Sequence, residues 1–78
     1  MSPVGFAIDR HAPVPAWVQL AGQLRDHIAA LAPQDPIPST QELVRETGLA
    51  IGTIQKAVNA LKAEGLVYAV SGRGTFKR

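Results

Sequence analysis

Apolar side chains recur along this chain first at helical spacings and then, near the C-terminus, as a short continuous run. Trp17, Leu20, Ala21, Leu24, Ile28 and Leu31 fall at helical intervals and form one apolar stripe, with Gln19, Gln23, Arg25 and Asp26 off it. The spacing predicts a first helix over about Ala16–Leu31. Pro13 and Pro15 bar a helix before that point. Pro15 suits the first turn itself, where its missing N–H leaves no bond unmade. Pro33 and Pro36 end the helix and open a connector. Ser39-Thr40-Gln41-Glu42 has the form of a capping box, in which Ser39 accepts from the Glu42 N–H and the Glu42 side chain reaches back to the Ser39 N–H. A short helix to about Thr47 should follow, with Leu43 and Val44 inward and Gly48 as its stop.

A third helix is expected over about Gly52–Glu64, burying Ile54, Ala57, Val58 and Leu61 and ended by Gly65. Its start is irregular, because Ala50 stands where a capping hydroxyl is expected. Leu66–Val70 reads as a strand, Ser71-Gly72-Arg73-Gly74 as a turn, and Thr75–Lys77 as the returning strand. Phe6–Asp9 reads as a short N-terminal strand. A short capped helix, a glycine-containing turn at Thr47–Ile51 and a second helix have helix-turn-helix spacing. The expected fold is therefore mainly α with a small β-hairpin. It is a winged helix-turn-helix of three helices plus a wing, with residues 1–78 as one domain.

Charge sharpens this picture more than composition does. Residues 1–49 carry three arginines against five carboxylates, whereas residues 50–78 carry Lys56, Lys62, Arg73, Lys77 and Arg78 against Glu64 alone. A basic C-terminal third suits a polyanion, although a solvated basic face has the same composition. The turn would set the third helix across the second, so that its N-terminal residues enter a major groove. The hairpin, with an arginine at its tip, would reach a phosphate or the minor groove.

The stretches Ile37-Pro38-Ser39-Thr40-Gln41-Glu42-Leu43, Thr53-Ile54-Gln55-Lys56-Ala57-Val58, Leu61-Lys62-Ala63-Glu64-Gly65-Leu66-Val67 and Gly72-Arg73-Gly74-Thr75-Phe76 together resemble the DNA-binding domain of GntR-type bacterial regulators. Pro15-Ala16-Trp17-Val18-Gln19-Leu20 resembles the start of that family's first helix. The likeness runs from about Phe6 to the C-terminus, and four separated motifs in order make it specific. It implies sequence-specific binding of double-stranded DNA for the regulation of transcription, as a repressor or activator. The implied contacts are Ser39, Thr40, Gln41 and Arg45 on the second helix and Ile51, Gly52, Thr53, Gln55, Lys56, Asn59 and Lys62 on the third, with Arg73 and Gly74 in the wing. Where family members usually carry arginine, this chain has Gln41, Ile51 and Gln55. Glutamine favours adenine and isoleucine offers only apolar contact, for instance to a thymine methyl, so a more A·T-containing site and weaker phosphate anchoring are expected.

Other chemistry is not expected. There are no cysteines, and His11 and His27 lack a carboxylate or cysteine cluster, so neither a metal site nor a disulfide is anticipated. Ser39 has no base positioned for it, and Gly72-x-Gly74 lacks the strand-to-helix setting of a nucleotide loop. The chain thus reads as a non-enzyme without cofactor and without a small-molecule site of its own. The N-terminus lacks a signal-peptide pattern, and a cytoplasmic setting with no membrane partner is expected. A homodimer on a palindromic operator is expected too, because one small module gains specificity by pairing half-sites. Trp17 reads as a core or dimer anchor, and Tyr68 as packing on the hairpin. The alternatives are a winged-helix protein-interaction module and the N-terminal piece of a larger effector-responsive regulator. Family members continue past the wing into a further domain, and this chain stops just after the second wing strand.

Overall fold

A computed structural model describes residues 6–78. In chain order it holds helix α1 (Ala16–Ala29), helix α2 (Thr40–Thr47), helix α3 (Ile51–Ala63), strand β1 (Val67–Val70) and strand β2 (Gly74–Lys77). The order matches the pattern in the sequence, with small shifts at the ends. Pro15 is the N-cap of α1 and not its first helical residue, and its carbonyl accepts from the Val18 and Gln19 N–H groups. The helix stops at Ala29, two residues short of Leu31. The Ala30 and Leu31 N–H groups instead close tight bonds to the His27 and Ile28 carbonyls, which use up acceptors a continuing helix would need. At the other boundary α3 starts at Ile51, one residue early, and Ala50 provides no side-chain cap.

The core sits between the helices. Leu20, Leu24, Ile28, Leu43, Ile54 and Leu61 are fully buried, and Val67 carries the core onto the hairpin. α3 is the central element, packed against α1 on one side and α2 on the other. Arg25 of α1 makes a bidentate ion pair to Glu64 at the α3 C-cap, at 2.9 and 2.7 Å. A carboxylate is poorly placed at a helix C-terminus, and the guanidinium compensates it. The hydrogen bonds from Arg25 hold the Glu64 carboxyl below its usual value, so this tie is present at neutral pH and lost as pH falls through that lowered range.

The strand expected over Phe6–Asp9 does not form. Two glutamines of α1 take the place of a partner strand. The Gln23 side-chain amide bonds both the N–H and the carbonyl of Ala7, and Gln19 does the same for Asp9, while also donating to the Val14 carbonyl. A planar amide carries one donor and one acceptor side by side, as a peptide does, so extended backbone is satisfied without a sheet.

The connector is more ordered than two prolines suggest. Gln34 donates to the Lys77 carbonyl, Lys77 to the Asp35 carbonyl and Ile37 to the Thr75 carbonyl, and Pro36 bridges Phe76. β2 therefore lies between β1 on one edge and residues 34–37 on the other. The β1–β2 register pairs Val67 with Lys77 and Val70 with Gly74. The hairpin closes through the Arg73 N–H to the Val70 carbonyl at 3.0 Å, with Gly72 at φ 76°. That is the positive-φ third position of a tight turn, which glycine fills without strain.

Candidate nucleic-acid interface

The turn between α2 and α3 is built from three consecutive residues. The Thr47 hydroxyl donates to the Leu43 carbonyl at 2.6 Å and accepts from the Leu49 N–H at 3.2 Å. Gly48 adopts φ 70° and ψ 10°, and its N–H caps the Val44 carbonyl, a left-handed helix end. Leu49 then drops into the core, 6% exposed. This fixes where α3 begins and how it crosses α2.

At its N-terminus α2 is capped by Ser39, whose hydroxyl oxygen accepts from the Glu42 N–H at 3.1 Å. The reciprocal half of the expected capping box differs. The Glu42 carboxylate accepts from the Ser39 hydroxyl at 3.3 Å. One serine thus serves both halves. Thr40 opens the helix half-buried, Gln41 is exposed beside it, and Arg45 is exposed in the last turn, bordering a shallow hollow with Glu42 and Glu46.

The exposed side of α3 carries most of the remaining candidates. Ile51, Gly52, Gln55, Asn59 and Lys62 are all exposed and fall at helical intervals. Ile51 is 54% exposed, a large apolar side chain at the first position of the helix. Gln55, Val58, Asn59 and Lys62 join Thr40 of α2 and Thr75 of β2 around a polar hollow of about 310 Å³. Three elements thus converge on one concavity, and four of the residues singled out from sequence line it. Val58 and Thr75 are additions. Thr75 belongs to the Gly72–Phe76 motif, but its place at this edge comes from the strand register and the bond from Ile37 to its carbonyl.

The other candidates, Ser39, Gln41, Arg45, Ile51, Gly52, Thr53, Lys56, Arg73 and Gly74, do not line the hollow. Thr53 is half-buried in α3. Lys56 is exposed, but its ammonium sits 4.8 Å from the centre of the Trp17 ring, so it faces α1 and not the hollow. Arg73 is exposed at the hairpin tip, and Gly74 is the first residue of β2 rather than part of the turn. Two further cations of the basic C-terminal third are engaged. The Lys77 ammonium donates to the Leu31 carbonyl just beyond α1, and Arg78 lies over Tyr68, which itself packs on Phe76 at 5.9 Å between ring centres. His27 packs edge-on against Phe6. Among the described residues no three His, Cys, Asp or Glu side chains converge on a possible metal position. No helix among them is long and apolar enough to cross a membrane.

Comparison with known proteins points one way. The model of the family described as "Bacterial regulatory proteins, gntR family" matches residues 17–76. The chain is 37% identical over 71 residues to the HTH-type transcriptional repressor NagR of Bacillus subtilis, covering 88% of this chain but only 29% of that protein. It therefore spans less than a third of the length of that relative. Among solved structures it is similar to the AraR DNA-binding domain in complex with operator ORE1, with a TM-score of 0.81 and 30% identity over 92% of this chain and 90% of that one. It is also similar to YtrA from Sulfolobus acidocaldarius, a GntR-family transcription factor, with a TM-score of 0.82 and 33% identity over 95% of this chain and 80% of that one.

Proposed function

This chain belongs to the gntR family of bacterial regulatory proteins, and we propose that it binds a specific site on double-stranded DNA and thereby represses transcription. The observation that carries this reading is the convergence of the α2 N-terminus, the exposed side of α3 and β2 on one polar hollow. α3 would lie in the major groove. Gln55 would pair with adenine through its amide, and Ile51, one turn earlier, would meet a thymine methyl. Thr40 and Gln41 would meet the backbone at a helix N-terminus, where free N–H groups and the dipole favour phosphate. Lys62 and Arg45 would add charge along the backbone, and Arg73 would reach it from the wing. NagR is a transcriptional repressor, and the AraR DNA-binding domain is seen in complex with its operator, which supports this reading. We extend this reading to a cytoplasmic homodimer on a two-fold site, acting as one domain over residues 1–78 without catalysis and with no small-molecule ligand inside it.

Selection of bound duplexes from a random pool, followed by a salt titration on the enriched sequence, tests the reading. A two-fold-symmetric, A·T-containing site whose binding falls steeply with salt is the expected result. Weak, equal binding to every duplex would move the assignment to a protein-interaction module or to the N-terminal piece of a larger regulator that needs its partner domain to bind.

Gln55→Ala should relax the preference at one base position by about 1–3 kcal/mol, while binding to unrelated duplexes stays level. The check is a competition assay against duplexes changed at each position in turn. An unchanged preference would remove Gln55 from the base-reading set. Arg73→Ala should weaken binding to all duplexes alike and lower the slope of log K against log salt by about 0.9, one phosphate's share. A salt slope equal to that of the parent chain would take the wing tip off the backbone.

A further inference from the structure

The segment of residues 7–12 touches both α1 and the turn between α2 and α3. On one side Gln19 and Gln23 hold Ala7 and Asp9 to α1 through paired amide bonds. Asp9 then fixes the next residues, because its carboxylate accepts from the His11 N–H at 2.9 Å and its carbonyl from the Ala12 N–H at 3.3 Å. Between these two bonds lies Arg10. Its guanidinium crosses to the turn and donates to the Thr47 carbonyl at 3.2 Å. That carbonyl belongs to the last residue of α2, where the helix has no further N–H to offer and its dipole is negative. The same guanidinium lies beside Gly48, 3.2 Å from where a Cβ would stand.

We infer that residues 7–12 form a strap from α1 to the helix-turn-helix turn, and that Arg10 is a positioning residue for DNA reading by α3. The inference rests on the DNA-binding reading above. α3 packs on α1 along its length, whereas its crossing of α2 depends on Thr47, Gly48 and Leu49. Arg10 pins the first of these residues from outside the helix pair. The strap thus fixes the crossing angle that puts the α2 N-terminus and the exposed side of α3 on the same DNA. Arg10 acts through the turn and needs no contact with phosphate.

The test compares the full chain with Arg10→Ala and Arg10→Lys on the duplex enriched by selection and on a scrambled duplex, at several salt concentrations. Thermal midpoints and amide hydrogen exchange of the free proteins are measured alongside. Arg10→Ala should bind the enriched duplex about fivefold more weakly. Its binding to the scrambled duplex and its salt slope should stay unchanged. Exchange at Gly48, Leu49 and Ala50 should quicken, and Arg10→Lys, which keeps a cationic donor, should recover part of the loss. Equal losses on both duplexes with a salt slope lower by about 0.9 would make Arg10 a phosphate contact and overturn the strap. A loss that only follows a fall in the thermal midpoint would reduce it to a stabilising bond, and unchanged affinity would overturn it as well. If the parent chain enriches no duplex, the DNA-binding reading fails, and exchange at the turn alone decides whether the strap holds.

Discussion

Leu24→Ala should lower the thermal midpoint by more than about 10 °C, the largest effect expected of any single substitution named here. Leu24 is fully buried on α1, in the face packed against α3. Truncation removes the transfer energy of the lost atoms and leaves a cavity, together worth about 2–5 kcal/mol at such sites. Alanine is the best helix former, so no loss of helix propensity clouds the result. A chain of this size holds about 4–12 kcal/mol in total, at the usual stability per residue. Each kcal/mol moves the midpoint of so small a domain by about 4–8 °C. Circular dichroism on heating measures the shift. Binding to DNA should fall only as far as the folded fraction does, because Leu24 is away from the interface. A shift below about 5 °C would mean that α1 closes onto α3 after truncation and that the core is softer than its burial implies.

Gly48→Ala should cost about 1–2 kcal/mol of stability, because an L side chain is strained at φ 70° and the residue is the left-handed cap of α2. Gly65→Ala makes an informative pair with it. Gly65 has φ 77°, and nothing lies within 4 Å of an added Cβ, so that variant suffers backbone strain alone. At Gly48 the added methyl meets the Arg10 guanidinium at 3.2 Å. The end of a long side chain moves away at little energy, so the two variants should lose similar stability in chemical denaturation. They should differ on DNA. Gly48→Ala pushes the Arg10 guanidinium by a few tenths of an ångström and lengthens its bond to Thr47, so it should lose affinity for the enriched duplex beyond its loss of stability, whereas Gly65→Ala should not. Equal affinities, corrected for the folded fraction, would separate the turn from DNA reading.

Much of the fold was legible because its signals are local. The stripe from Trp17 to Leu31 needs only 3.6-residue periodicity, and Ser39 caps α2 through a residue three places along. The hairpin was legible from the turn chemistry of Ser71-Gly72-Arg73-Gly74 after the apolar run Leu66–Val70. The strand expected at Phe6–Asp9 failed for a non-local reason. An extended segment needs a partner for its peptide groups, and Gln19 and Gln23 of α1 supplied one, although on sequence they read as surface residues. Pro33 and Pro36 marked a connector correctly. Nothing near them announced that residues 34–37 would lie along β2, since that pairing spans some forty positions, as in Gln34 to Lys77.

The candidate interface divides the same way. The residue types along α2 and α3 are set by sequence, Gln41, Ile51 and Gln55 among them. Which of them act together is not. Packing turned Lys56 toward Trp17 and brought Gln55, Asn59 and Lys62 to Thr40 and Thr75. It also withdrew the Lys77 ammonium to the Leu31 carbonyl just beyond α1, so a count of basic residues overstated the charge free to meet a polyanion. By itself, then, the sequence determined the helices, the turn, the hairpin and the chemistry available on each, because short-range periodicity, capping and backbone sterics act within a few residues. Only the tertiary structure decided the strap of residues 7–12, the pairing of the connector with β2 and the membership of the polar hollow. Those depend on side chains from distant positions satisfying one another's polar groups once the core has closed, which no local pattern encodes.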